Sequence, residues 1–203
     1  MLTVDEIRRF IDDDAASDRK ARAKVGQRYY EAQHDILQCR LFYYNDDGNL
    51  VEDKYRSNIR IPHPFFTEIV DQAVQYMLSG EDALVKSDLP ELQDELDAYF
   101  NSNENFRAEI AEALTGCMVN GFSYLHAYKD EDDRTAFQWS DGMGVVEVRA
   151  KDTDAQAEHL IYWYIDRVEK GSKQIKRIQV WDEKQVAFYV QTDEGEIVPD
   201  DSE

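Results

Sequence analysis

NFRAEIAEALTGCMVNGFSYLHAYKDEDDRTAFQW, Asn105 to Trp139, changes its period halfway along. Up to Asn120, Phe106, Ile110, Leu114 and Cys117/Met118 return every three or four positions, the spacing of one helix face. From Gly121 onward the spacing drops to two: Phe122, Tyr124, His126 and Tyr128 alternate with other residues, and so do Phe137 and Trp139. The window divides the chain into helices before it and strands after it.

Working back from it, Leu92, Leu96 and Tyr99/Phe100 form a further helical face, opened by Asp88 and Glu91 as a capping box with Pro90 in the first turn. NSNEN, Asn101 to Asn105, interrupts the pattern. Phe66, Ile69, Val70, Ala73, Val74, Met77 and Leu78 describe an apolar helix that stops at Gly80. Pro62 and Pro64 keep the chain before it extended. Asn45-Asp46-Asp47-Gly48-Asn49 is a turn between two stretches able to be strands, so a hairpin or extended loop is expected there. At the N-terminus, Thr3 and Glu6 make a capping box for a short helix carrying Ile7, Phe10 and Ile11. Asp12, Asp13 and Asp14 oppose its dipole and should end or kink it. Ser17 caps a second helix in which Ala21, Val25, Arg28/Tyr29, Ala32 and Ile36 line one face, with Arg19, Lys20, Arg22 and Lys24 opposite.

Working forward, Val146/Val148, HLIYWYI (His159 to Ile165), Lys173 to Trp181 and Gln185 to Val190 read as strands. Turn signals at Asp130 to Asp133, Asp141-Gly142, Glu169-Lys170-Gly171 and Asp182-Glu183 separate them, the mark of an antiparallel meander. TDEGEIVPDDSE holds six carboxylates and no base and should fray. The expected organisation is α+β: N-terminal helices over 1–40, a hairpin or loop with the helical core over 41–130, an antiparallel β-sheet region of the same domain over 131–191, and an acidic tail over 192–203.

The 203 residues include 23 Lys+Arg and 43 Asp+Glu, a formal charge of −20. A surface that grips phosphates needs the opposite balance, so nonspecific DNA binding is excluded as a main role. Hydrophobic residues at 42% and aromatics at 12% supply a core. No apolar run approaches the roughly 20 residues of a membrane helix, and MLTVDEIRRFIDDD has no secretion-signal pattern. Cys39 and Cys117 lack CxxC spacing and read as reduced, buried thiols.

Chemistry-bearing patterns are missing. His34, His63, His126 and His159 form no HExxH or other close pair, and no ligand set for a metal or cofactor emerges. GxxxxGK[ST] and GxSxG are absent, and Gly142-Met143-Gly144 lacks the third glycine of a dinucleotide loop. The residues therefore suggest no catalytic site. The basic cluster Arg19, Lys20, Arg22, Lys24 and Arg28 is the one gathering of positive charge. It reads either as a solvated face balanced by Asp12 to Asp14 and Asp18, or as a contact with an acidic partner such as a neighbouring copy of this chain.

Several segments together resemble the tailed-bacteriophage portal (head-to-tail connector) proteins. RYYEAQHDI, Arg28 to Ile36, is similar to a YY-x-G-x-HDI-like string near their start. NIRIPHPFFTEIVDQAVQYMLSG, Asn58 to Gly80, is similar to their aromatic pair followed by an IVDQ helix. Asn105 to Trp139 is similar to their amphipathic helix running into a glycine and a strand. Ala32 stands where the family often has glycine, and Pro62-His63-Pro64 where it often has asparagines.

The resemblance implies the peripheral wing portion only, a truncated N-terminal part without the long stem helices, clip and crown that lie downstream in the family. It implies a structural component of the virion at the portal vertex, made in the host cytoplasm, with no catalysis and no cofactor. Such proteins form dodecameric rings through which DNA is packaged and ejected without sequence-specific binding. The partners implied are capsid and scaffolding proteins, the terminase large subunit and a head-tail adaptor, with no membrane. A heterologous ring contact needs complementary surfaces on one chain, and Arg19, Lys20, Arg22 and Lys24 against an acidic face would supply one. The alternative class is an acidic DNA mimic from a prophage or other mobile element, which calls for carboxylates spaced evenly over one face.

Overall fold

The first helix docks on a sheet made by the last third of the chain, and everything between fills the space beside them. The computed structural model describes residues 2–80, 84–151, 156–169, 173–192 and 195–200. Helix α1 is Val4–Ala15, started by the Thr3–Glu6 capping box: the Glu6 N–H donates to Thr3 Oγ1 and Glu6 Oε2 accepts from the Thr3 N–H. It runs through all three aspartates and ends one residue beyond them.

Five strands form the meander: β5 Val145–Val148, β6 His159–Glu169, β7 Lys173–Trp181, β8 Val186–Gln191 and β9 Ile197–Pro199, each antiparallel to the next. Val146 pairs with Ile161 and Ile161 with Val180, so three β-branched side chains form one row across the sheet. Ile7 of α1 seals that row with Val148, Ile178, Tyr189 and Ile197. Ile7 and Ile161 are completely buried. Such burial stabilises by about 1.5–3 kcal/mol for each large aliphatic side chain.

The second core is helical. α2 (Asp18–Tyr30), α3 (Phe65–Leu78) and α5 (Glu104–Asn120) pack together, and α5 also carries a separate hairpin, β3 (Tyr124–Lys129) with β4 (Thr135–Ser140). Phe106 of α5 meets Phe137 of β4 and Phe100 edge-on, with ring centroids 4.8 and 5.0 Å away. Gly26 of α2 crosses α5 so closely that a Cβ there would lie 2.0 Å from the Val119 carbonyl oxygen. Between α3 and α5 comes α4 (Pro90–Leu96), followed by a π-helical turn at Asp97–Asn101. The remaining hairpin is β1 (Phe42–Tyr44) with β2 (Leu50–Glu52), its turn closed by Asn45, whose side-chain oxygen accepts from the Asp47 and Asn49 N–H groups. The architecture is α+β with a C-terminal β-meander.

Several expectations need correction. α2 stops at Tyr30 instead of reaching Ile36; Arg28 and Tyr29 both bind the Asp35 carboxylate and draw the chain into a short 3-10 turn at Asp35–Gln38. The buried side of α2 carries Lys20 and Ala23, while Ala21 and Val25 face out. Asp88 caps nothing: Leu89 occupies the N-cap of α4 and makes no side-chain hydrogen bond. The strands after Gly121 form a hairpin and a separate five-stranded sheet, with the main sheet starting at Val145. The acidic end is not wholly frayed, because β9 pairs with β8 and buries Ile197. Lys170 and Gly171 of the expected turn, and Asp193, Glu194 and 201–203 of the tail, lie outside the described residues. Cys39 and Cys117 are free as expected, but both are exposed.

Ala32 sits at φ 57° in the left-handed region, which costs a residue with a Cβ on the order of 1 kcal/mol. Ala32→Gly should therefore raise stability by about 0.5–1 kcal/mol in urea unfolding; an unchanged or lowered midpoint would contradict the assigned backbone.

Candidate functional site

The basic cluster on α2 is the place to look first, and the fold splits it. Ser17 starts the helix by accepting from the Lys20 N–H, 3.3 Å away, and the helix is rotated so that Lys20 points inward, 2% exposed. Its ammonium donates to the carbonyl oxygens of Gly142, Met143 and Val145, the last two at 3.1 Å, and lies 3.2 Å from Asp14 Oδ2. The turn from β4 into β5 directs these carbonyls at one point, where the Val145 N–H also donates to the Gly142 oxygen at 3.1 Å. Gly142 makes that turn at φ 77°, and a Cβ there would lie 2.7 Å from the Phe122 ring. Burial pulls the Lys20 amine below its ordinary value, while Asp14 acts against that shift.

Arg19 is also used within the chain. Its guanidinium lies 3.9 Å from the Phe122 ring centroid, donates to Tyr124 Oη at 2.8 Å, and is 3.7 Å from Glu147. Tyr124 donates to Glu147 at 2.6 Å, and Arg149 completes the group at 2.7 Å. Burial and the Glu147 hydrogen bond push the Tyr124 phenol up to about 12. Burial alone would raise Glu147, but bonds from Arg149 and Tyr124, with Arg19 nearby, hold it below the usual value. Arg28 pairs with Asp35. Of the four residues singled out, Arg22 and Lys24 are exposed, Arg19 keeps 41% of its side chain exposed, and Lys20 is buried. Periodicity missed the inward lysine; Ala23 and Gly26, two small residues three apart, were the signal for the packed side of α2.

The four histidines are dispersed: His34 stacks on Tyr29, His63 on Phe65, and His126 packs edge-on to Trp181. His159 starts β6. Among the described residues, no group of three or more His, Cys, Asp or Glu is placed to hold a metal ion. An apolar cleft of about 190 Å³ lies between the β3–β4 hairpin and the sheet, walled by Tyr124, Trp139, Tyr162 and Trp181.

The larger feature is uncovered apolar surface. α3 turns Val70 and Val74 inward yet leaves Phe65 and Ile69 each 62% exposed and Tyr76 84% exposed. On the β1–β2 hairpin, Phe42, Tyr44 and Leu50 are all more than half exposed. A two-stranded hairpin is marginal in water unless something packs on it. No helix among the described residues is long and apolar enough to cross a membrane.

The family described as phage portal protein, SPP1 Gp6-like, matches residues 10–203. The portal protein of Bacillus phage SPP1 is 30% identical over 109 residues, 53% of this chain and 21% of that protein. The matched part is thus about a fifth of that relative's length.

Lys20→Met removes a buried ammonium that donates to three carbonyls and pairs with Asp14, and should cost about 3 kcal/mol in urea unfolding, whereas Lys24→Met should stay within about 0.5 kcal/mol; equal effects would refute the inward assignment. In alkali, Tyr30, bonded to Asp71, and Tyr124 both titrate near 12 against an ordinary 10.0. The unfolded chain loses these protons first, so their contribution is complete below about pH 10 and is lost as pH rises through about 12. Lys20 acts in the opposite sense, but only up to its ordinary 10.5. Thermal unfolding of Tyr30→Phe with Tyr124→Phe should fall less steeply than the parent above that value; identical slopes would refute the assignment.

Proposed function

The chain belongs to the SPP1 Gp6-like family of phage portal proteins, and from that premise we propose that it acts as a subunit of the ring at the portal vertex, without catalysis. It supplies the wing, in which α1 and the meander form one packed layer and α2, α3 and α5 the other. The observation that carries this reading is the family match, which runs from α1 through the last described strand. The uncovered apolar surface on α3 and the β1–β2 hairpin supports it, since a subunit buries on assembly what it leaves bare alone. A charge of −20 supports it too: an acidic surface beside a DNA channel repels phosphates and lets the duplex slide.

In this role the chain occupies the virion vertex and is assembled in the host cytoplasm. DNA passes through the ring during packaging and ejection, with the terminase large subunit, head-tail adaptor, capsid and scaffolding proteins as partners. Arg22 and Lys24 remain available to meet an acidic face of a neighbouring subunit. Arg19 and Lys20 hold the subunit itself together.

Immunogold labelling with an antibody raised against this chain should mark one vertex per head in particles of the phage that encodes it. Label scattered over the shell, or absent from particles, would overturn the proposal. A chain carrying Arg22→Glu with Lys24→Glu should keep the parent's circular dichroism and melting temperature and be depleted from those particles; undiminished labelling would remove Arg22 and Lys24 from the contact.

A further inference from the structure

Between Phe42 and Met77, twelve large apolar side chains are on average about three-fifths exposed. At roughly 200 Å² each this leaves on the order of 1,500 Å² uncovered. A standard interface takes ~800 Å² from each partner, so the apolar area exposed over the β1–β2 hairpin, the segment after it and α3 is enough for one.

Its centre is the extended segment after β2. Tyr55 is 96%, Ile59 80% and Ile61 60% exposed. The segment is nevertheless held in place. The Asp53 carboxylate accepts from the Tyr55 and Arg56 N–H groups at 3.0 and 3.1 Å, Asn58 donates to the Cys39 carbonyl at 3.1 Å, and Arg60 to the Leu37 carbonyl at 2.5 Å. A backbone fixed before contact loses little freedom on binding.

Charge indicates the occupant. KYRSNIRI, Lys54 to Ile61, carries three bases and no acid in a chain whose overall charge is −20. DLPELQDELD, Asp88 to Asp97, carries five acids and no base. On it Leu89 is 65% and Leu92 42% exposed, so acids and leucines alternate over one outward surface. α4 is braced from behind by Gln93 and Asn101, which both donate to the Val85 carbonyl and to Asp97. Both surfaces thus combine apolar side chains with charge, and the two charges are opposite.

Resting on the portal reading above, we propose that Lys54–Ile61 of one subunit packs against Asp88–Asp97 of a second copy of this chain. The two surfaces differ and lie on separate segments, so the contact fits the head-to-tail repeat that a ring of portal subunits uses. Tyr55, Ile59 and Ile61 meet Leu89 and Leu92, and Lys54 and Arg56, the latter still 79% exposed beside its 3.2 Å pair with Asp53, select the register through Glu91, Asp94 and Glu95.

Sedimentation velocity on the 203-residue chain tests this. The parent should self-associate with rising concentration. Lys54→Glu with Arg56→Glu should weaken association at least tenfold, and so should Glu91→Lys with Asp94→Lys and Glu95→Lys, each with the parent's circular dichroism. An equimolar mixture of the two variants should associate again, because each reversed surface then finds its complement. Association that neither variant weakens, or a mixture that stays monomeric, would overturn the interface while leaving the portal reading intact. A parent that remains monomeric up to about 1 mM would overturn it as well, and the vertex labelling then judges the portal reading separately.

Discussion

The buried ammonium of Lys20 is the constraint on which the two halves of the molecule depend. The chain must turn sharply after β4 to begin β5, and the turn leaves three carbonyl oxygens converging in the interior. Buried acceptors without donors cost about 1–3 kcal/mol each, and the Val145 N–H of the turn itself donates to the Gly142 oxygen. One lysine from α2 satisfies them together, and Asp14 at the end of α1 balances its charge. The same side chain therefore fixes α1 against α2, α2 against the hairpin turn, and the helical core against the start of the meander. Arg19, one residue before it, extends the junction to Phe122, Tyr124 and Glu147.

This use of charge decides what is left for function. A cluster that looks from its composition like a docking surface is largely consumed inside the subunit. The opposite holds for the apolar residues of α3 and the β1–β2 hairpin, which look like core and lie on the outside. Hydrophobicity alone does not tell a protein's interior from a surface kept for a partner, since both exclude water in the final assembly.

The sequence was most legible where local chemistry determines structure. The Thr3–Glu6 box, Ser17, the Asn45–Asn49 turn and the change of period at Gly121 all appear as read, because each depends on residues within a few positions of one another. Errors arose where a distant element decided. The apolar periodicity of α2 favoured Ala21 and Val25, but the crossing with α5 at Gly26 and the carbonyls of Gly142, Met143 and Val145 that receive Lys20 go with the helix turned the other way. Asp88 had the right spacing for a cap and lost to Ser87 and Gln93, which hold the irregular segment before α4. β9 was hidden because its acidic neighbours outweigh Ile197 in composition, while pairing with β8 needs only three residues.

The central claim is that this subunit spends its basic helix on itself and keeps its apolar surface for its neighbour. A cryo-electron-microscopy reconstruction of the assembled vertex at side-chain resolution tests this most directly. The account predicts Lys20 enclosed by carbonyls of its own chain, with the surface between Phe42 and Met77 covered by the adjacent one. Lys20 reaching a neighbour's carboxylate while that apolar surface stood bare to solvent would contradict it.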